Sequence, residues 1–364
     1  YKIVWKTIKS SPAILRIFIE ALSNAIDNVE RSHKTKYPCT KIKVTIDEKT
    51  GETSVWNDGD VVPIEMHEEE GCYNHSMIFG QLLTGSSYND EEERMIAGRN
   101  GLGIKLNNIF STSFTVTGCD PENKKSFEQT WTKNMRETTP PKIKTSKAKK
   151  GFTHITWTPD FTRFGLKKYT KDIVQLYTRH VLDAAMLSKV SVYLNGVLIP
   201  IKNISQYSLL YDSPTEEKLL IKSKQADVLI TPASEWQVVS FVNGVYTRLG
   251  GQHVDPWVEA ILRPIVDKFN GKGKKAKKGP KINIADVRQF FRIFVVASVV
   301  RPEFDGQDKN KLESPAVTPA VKRSHIAAIS KWSVMERIED IIRAKEMIVL
   351  KKAERKKKNV RIDG

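Results

Sequence analysis

The chain has 364 residues, more than one ordinary domain needs and enough for two. Its 59 Lys and Arg against 42 Asp and Glu leave a net charge of +17, which points to a polyanionic partner such as nucleic acid or a nucleotide; a solvated lysine-rich surface is the plainer alternative. No apolar run approaches the roughly 20 residues of a membrane span, no signal peptide is visible, and Cys39, Cys72 and Cys119 are scattered without metal-ligand spacing, so a reducing compartment is expected.

In chain order, Ser11 followed by Pro12 reads as a helix start, and Ile14, Leu15, Phe18, Leu22, Ala25 and Ile26 continue it at helical spacing to about Val29. The alternating runs KIKVTID from Lys41 and TSVWND from Thr53 flank a Lys49-Thr50-Gly51 turn and read as a hairpin. Further strands are expected at Phe114, Phe152 and Val190, with a helix from about Lys168 to Met186 before the last of them. The polar segment 208–225 reads as a domain boundary. Beyond it come strands from Ala226 and Trp236 and a helix from about Pro256 to Phe269. A lysine-rich loop from Gly271 then leads to a second helical stretch and the apolar strand FRIFVVASVV from Phe291. The strand–helix–strand order predicts a right-handed crossover. The tail from Ile326 carries Val334, Ile338, Ile341 and Met347 at helical spacing, and it ends in a lysine-rich stretch as though the polypeptide continued.

Three segments carry chemistry. In EALSNAIDN, Glu20, Asn24 and Asp27 stand at i, i+4 and i+7 and so share one face of a largely apolar helix. Such a polar stripe is either a solvated face or a ligand-binding one; Asn and Asp, poor helix formers, fit the second better than long solvated side chains would. VWNDGD, Val55 to Asp60, leaves a strand through an Asn-Asp-Gly turn, which turn chemistry alone can explain. GRNGLGIK, Gly98 to Lys105, is glycine-rich but is neither a P-loop nor a dinucleotide fingerprint, because Lys105 follows Ile104 rather than Gly103 and position 106 is Leu. What remains is a loop entering a helix, where backbone N–H groups with Arg99 and Lys105 can hold phosphate oxygens.

The three segments in this order resemble the GHKL (Bergerat-fold) ATPases, and other blocks narrow the resemblance to type II DNA topoisomerases of eukaryotic type. Those blocks are IFGQLLTGSSYNDEEE from Ile78, AGRNGLGIKLNNIFST from Ala97, SFVNGVYTRLGGQHVD from Ser240 and FDGQDK from Phe304. The resemblance implies an α/β (α+β sandwich) fold, with a GHKL ATP-binding domain at 1–212 and a transducer domain at 213–364 ending in a long helix. It implies ATP and Mg²⁺ as cofactors, double-stranded DNA as partner and a homodimer closing through the ATPase gate, without a membrane. The nucleus is the expected compartment, or a viral factory, host cytoplasm or virion if the source is a large DNA virus.

By the same resemblance Glu20 is the general base for the attacking water and Asn24 a Mg²⁺ ligand. Asn57 reads the adenine, Gly85, Ser86 and Ser87 contact ribose and phosphates, and Gly98, Arg99, Asn100, Gly101, Leu102, Gly103, Ile104 and Lys105 form the lid over the triphosphate. Gln307, Asp308 and Lys309 form a loop reaching the γ-phosphate, with Lys309 catalytic. The departures are Val61 where a second glycine is usual, Gly85 where Ser begins the usual Ser-Ser-Asn, and Asp308 where Thr is usual. An N-terminal exchange arm is expected to be absent or nearly so. Two rivals remain: a non-hydrolysing, basic nucleic-acid-binding module with a vestigial pocket, and a GHKL chaperone or mismatch-repair ATPase.

Overall fold

A computed structural model of the chain describes residues 1–8, 11–81, 103–212, 216–271, 280–306 and 309–358. The chain divides into two compact units, Tyr1–Tyr207 and Ser208–Gly364.

The first unit opens with α1 (Pro12–Ser32), β1 (Lys41–Ile46), β2 (Thr53–Asp58), α2 (Asn74–Gly80) and α3 (Gly103–Ile109). It continues with β3 (Ser111–Asp120), β4 (Lys125–Thr132), β5 (Glu137–Thr138), β6 (Lys142–Thr145) and β7 (Phe152–Pro159). Then come α4 (Lys171–Ser188), β8 (Ser191–Leu194), β9 (Val197–Leu198) and α5 (Ile204–Ser208). The strands form a nine-stranded sheet ordered β5-β4-β3-β7-β2-β1-β8-β9, with β6 added beside β4. β1 and β2 are the expected hairpin, antiparallel with Val44 opposite Val55, and its turn is fixed by Asp47 Oδ1, which accepts from Lys49 N (2.8 Å) and Thr50 N (3.3 Å).

β1 alternates exposed and buried residues, so one sheet face is covered and the other is open. The cover is helical. Ile14, Ile17, Phe18, Ala21, Leu22 and Ala25 of α1 are buried at helical spacing. Phe18 stacks on Tyr177 of α4 with centroids 3.9 Å apart and lies 6.4 Å from Trp157 of β7. The Tyr177 hydroxyl donates to Ile14 O at 2.7 Å, locking α1 to α4. At about 2 kcal/mol for each large apolar side chain buried, this packing outweighs the weak helix propensity of Asn24, Asp27 and Asn28. Ser11 occupies the N-cap position, but its side chain makes no capping hydrogen bond; Thr170 does cap α4, accepting from Ile173 N at 3.3 Å.

The second unit comprises β10 (Leu219–Lys222), β11 (Ala226–Pro232), β12 (Gln237–Val242), β13 (Val245–Tyr246), α6 (Asp255–Asn270) and α7 (Ile284–Arg288). β14 (Phe291–Ala297), β15 (Glu303–Phe304), β16 (Leu312–Ser314), α8 (Arg323–Ile329) and α9 (Val334–Lys358) complete it. Its sheet runs β10-β11-β14-β12-β13. β12 and β14 are parallel neighbours, Val239 opposite Phe294, and α6 lies between them in sequence, which is the expected strand–helix–strand unit. β14 is central and almost wholly buried, matching its nearly continuous apolar run. Its one charged residue, Arg292, donates to Gln237 Oε1 at 2.5 Å and to Tyr211 O. Trp257, Ile261, Leu262 and Ile265 of α6 pack into the same core as Ile293 and Val295.

Several strands were not anticipated: β4, β5, β6, β9, β13, β15, β16, and β10 within the polar segment 208–225. β5 and β6 alternate weakly and carry exposed polar residues, so the periodic signal is faint there. The tail ends in the long helix expected, α9, with the short α8 before it. α8 ends before Ser330, and Val334, Met335 and Ile338 of α9 are buried, whereas Met347 is 57% exposed. Residues 272–279 of the lysine-rich loop lie outside the described residues.

Candidate functional site

The site begins on α1. Glu20 keeps 21% of its side-chain surface and pairs with Arg16, one helical turn earlier. Gly103, the first residue of α3, lies directly against that carboxylate: a Cβ added there would overlap it, coming 2.5 Å from Glu20 Cδ. Any side chain at 103 would have to displace the end of the Glu20 side chain.

α3 is held in place by its own asparagines. Asn107 Nδ2 donates to Ile17 O of α1 at 3.3 Å, and Asn108 Nδ2 to Phe79 O of α2 at 2.9 Å. Ser111 Oγ donates back to Asn107 O at 2.6 Å. Held this way, α3 buries Ile104 and Lys105. Burial pushes the Lys105 ammonium below its usual pKa range, because desolvation disfavours the charged form. An anion beside it would reverse that penalty, as a phosphate would.

The second wall is the end of β2. Asn57 is buried, and its Nδ2 donates to Asp58 O at 3.0 Å. That bond orients the amide, and its Oδ1 is the atom that can accept from an exocyclic amine. Asp58 is buried as well. Its Oδ1 accepts from Thr40 N and Lys41 N, each at 2.7 Å, and its Oδ2 from the Thr40 hydroxyl at 2.5 Å. Asn28 of α1 donates to Asp58 O (3.3 Å) and Asp60 O (3.1 Å), tying the helix to this turn. Gly59, at φ +109°, packs against the Cys39 backbone, where a Cβ would come within 2.7 Å of Cys39 N. The turn therefore closes without the second glycine that Val61 replaces.

Of the stripe expected on α1, Glu20 is half-buried, Asn24 is exposed and Asp27 is intermediate. The buried polar residues of that helix are Asn28 and Ser32, and neither they nor Arg16 and Asp58 had been given a role. The i+4 spacing from Asn24 to Asn28 was the available signal. Gly85, Ser86, Ser87, Gly98, Arg99, Asn100, Gly101, Leu102, Gln307 and Asp308 lie outside the described residues. Lys309 belongs to the second unit, in the loop between β15 and β16. It sits at φ +53°, donates its N–H to Gly306 O at 3.0 Å and holds its ammonium 6.0 Å from the Phe304 ring.

The contact between Glu20 and Gly103 predicts a measurable coupling. Gly103→Ala should lower the stability of the first unit by no more than about 1 kcal/mol, since the group it displaces is the end of a flexible side chain, and that loss should vanish in a Glu20→Ala background. Equal costs in both backgrounds, measured by denaturant unfolding, would mean that the two residues do not touch.

Helices over one face of a mixed sheet, with a carboxylate on the first of them under a glycine that leads to a buried lysine, define a GHKL fold. The comparisons with known proteins agree. The family model described as DNA gyrase B matches residues 187–361. The "DNA topoisomerase 2" of Invertebrate iridescent virus 6 is 38% identical, over 99% of this chain and 33% of the relative. The crystal structure of the ATPase region of Saccharomyces cerevisiae topoisomerase II superposes with a TM-score of 0.81 at 32% identity, covering 91% of this chain and 86% of that one. The ATPase and transducer domains of DNA topoisomerase II from Balamuthia mandrillaris give 0.78 at 30% identity, covering 93% and 87%. The chain belongs to the type II DNA topoisomerase family, in the part that corresponds to its ATPase region. It spans about one third of the length of the viral relative.

Proposed function

We propose that this chain binds ATP with Mg²⁺ and hydrolyses it as the N-terminal gate of a type II DNA topoisomerase. On this reading closure of a homodimer captures a DNA duplex, which passes through a double-strand break made elsewhere in the polypeptide. The observation that carries the reading is the half-buried Glu20 carboxylate lying against Gly103, two residues from the buried Lys105. Residues 1–212 would then be the ATP-binding domain and 213–364 the transducer.

In this assignment Glu20 takes a proton from the water that attacks the γ-phosphorus, and ADP leaves with the electrons of the broken P–O bond. Lys105 offsets charge on the phosphates. Asn57 accepts from the adenine amino group. Gly85, Ser86 and Ser87 contact ribose and phosphates, and Gly98 through Lys105 close over the triphosphate. A Mg²⁺ that keeps waters and substrate oxygens needs few protein ligands. Asn24, exposed one turn beyond Glu20, would give such an ion its amide oxygen. Bound Mg²⁺ supplies neutralisation of phosphate charge.

Double-stranded DNA as partner is supported by the net charge of +17, with sequence-blind phosphate contacts as the expected mode. No described helix is long and apolar enough to cross a membrane. Eukaryotic and viral relatives leave the nucleus and a viral factory as the two compartments to examine.

Mg²⁺-dependent release of phosphate from ATP by the purified chain tests the reading. Nucleic-acid binding without any such release would favour a non-hydrolysing basic module. Lys309 supplies the sharper experiment: if its loop reaches the γ-phosphate, ATP ties the two units in a way that ADP does not. Lys309→Ala should lower turnover about tenfold or more and erase the ATP-versus-ADP difference in distance between labels placed on the two units. If both observables stay as in the parent chain, the transducer does not sense nucleotide through this residue.

A further inference from the structure

The loop that carries Lys309 is too slight to position itself. β15 and β16 pair through Glu303 with Ser314 and Phe304 with Leu312, with a register shift between them. Around the tip the loop adds Asp305 N to Lys311 O (3.0 Å), Lys311 N to Asp305 Oδ1 (3.0 Å) and Lys309 N to Gly306 O (3.0 Å). A two-stranded ribbon this short is not stable alone in water. Its placement has to come from something else.

We propose that the turn Thr247–Gln252 is the mount that positions this loop, with Gly251 as the positioning residue; the inference rests on the reading of Lys309 given above. Leu249 N donates to Asn310 O at 2.9 Å, which fixes the carbonyl of the residue next to Lys309. Leu312 N donates to Gly250 O at 3.0 Å and Gln252 N to Leu312 O at 2.9 Å, so the far strand of the loop is clamped on both sides of Gly251. Val317 N donates to Gln252 O at 3.1 Å and extends the clamp past the hairpin. Gly251 and Leu312 form a parallel bridge.

The requirement for glycine at 251 follows. Its φ is +119°, and a Cβ there would overlap Leu312 O and lie 2.8 Å from Leu312 N. Any other residue must push β16 away, and Lys309 with it. Gly250 differs: its φ is +69°, but a Cβ would meet its nearest neighbour, a Val254 methyl, at an ordinary 3.5 Å.

The mount is in turn fastened to the sheet. Thr247 N donates to Ser240 O of β12 at 2.8 Å, Ser240 Oγ to Thr247 O at 2.9 Å, and the two hydroxyls lie 2.7 Å apart. The Thr247 hydroxyl is also 3.0 Å from His253 Nε2, and all three residues are completely buried. Burial pushes the His253 imidazole down to about 4, so it stays neutral through physiological pH and the network keeps one protonation state. A rigid path therefore runs from the middle of the sheet through Thr247 and Gly251 to the residue beside Lys309.

The experiment is a double-mutant cycle on the chain with its Mg²⁺-ATP turnover as readout. Gly251→Ala should lower kcat about tenfold, as small displacements of a reacting group do, and leave KM for ATP within about twofold. In a Lys309→Ala background the same substitution should change kcat no further, because the displaced group is already gone. Ile265→Val, a cavity in the same core, should destabilise the unit without any such dependence on Lys309. Gly250→Ala meets no clash and carries only the strain of φ +69°; it should show a smaller kcat loss with the same dependence, so it carries the test if Gly251→Ala does not accumulate. A kcat loss that is as large without Lys309 as with it, or no loss at all, overturns the mount while leaving Lys309 in its role. A silent Lys309→Ala sinks the reading of the loop itself, and the mount with it.

Discussion

Glu20→Ala should reduce ATP turnover by about 10²–10⁴-fold, the range for a lost general base, while nucleotide affinity changes by no more than about threefold. The reason is what the side chain acts on. Its neighbours in the structure are Arg16 and Gly103, so removing the carboxylate takes away a proton acceptor for water rather than a contact to the nucleotide. The missing bulk lies beside Gly103, and the partner left behind is Arg16, which is itself partly exposed. Phosphate release and titration with a fluorescent nucleotide read the two effects separately. A loss of binding as large as the loss of turnover would make Glu20 a ligand or a structural residue instead. Replacing Arg16 is no substitute for this experiment, since it would leave the carboxylate in place and change only its partner.

Much of the architecture could be read from periodicity, and the reasons are local. α1 repeats its apolar residues every three or four positions from Ile14 to Ala25. The β1–β2 hairpin alternates on both sides of a turn capped by Asp47. β14 is apolar at nearly every position because both of its faces are buried, Arg292 excepted. β5 and β6 escaped notice because their residues are mostly exposed, and no burial pattern is imposed on them. The break between α8 and α9 escaped for a different reason: Ile329, Trp332 and Val334 are all buried around it, so the apolar spacing continues while the backbone turns.

The site divides in the same way. Glu20, Gly103 and Lys105 stand in segments whose composition is unusual enough to be noticed; Glu20 and Gly103 meet in space, and Lys105 is buried two residues further along α3. Asn28, Asp58 and Gly251 stand inside segments singled out along the chain but were given no role of their own, because nothing local demands their chemistry. Asp58 in an Asn-Asp-Gly turn needs no further explanation until Thr40 and Lys41 are found donating to it. Gly251 needs none until Leu312 is found against it. Each of these partners is fixed by tertiary structure, and a pattern read along the chain does not contain it.

Asp58→Ala should cost the first unit roughly 3 kcal/mol, from several hydrogen bonds lost to a buried carboxylate. For a unit of this size that corresponds to a fall in Tm of about 10 °C. The carboxylate accepts the backbone N–H of both Thr40 and Lys41 as well as the Thr40 hydroxyl. Alanine would leave two backbone donors without an acceptor at the point where β1 begins. The damage should spread to the proposed adenine contact, because Asp58 O also anchors Nδ2 of Asn57 and of Asn28. Asp58→Asn keeps the shape and one acceptor oxygen, so it should fall between the parent and Asp58→Ala in both stability and nucleotide affinity. Cys39 reports the same region independently. Its thiol is pushed up to about 12, first by burial and then by the charge of Asp58, so its alkylation rate should rise in Asp58→Ala as the corner loosens and that charge is lost. A thermal midpoint within about 2 °C of the parent, together with an unaltered alkylation rate, would mean that the α1–β2 corner is held by Asn28 and Gly59 alone.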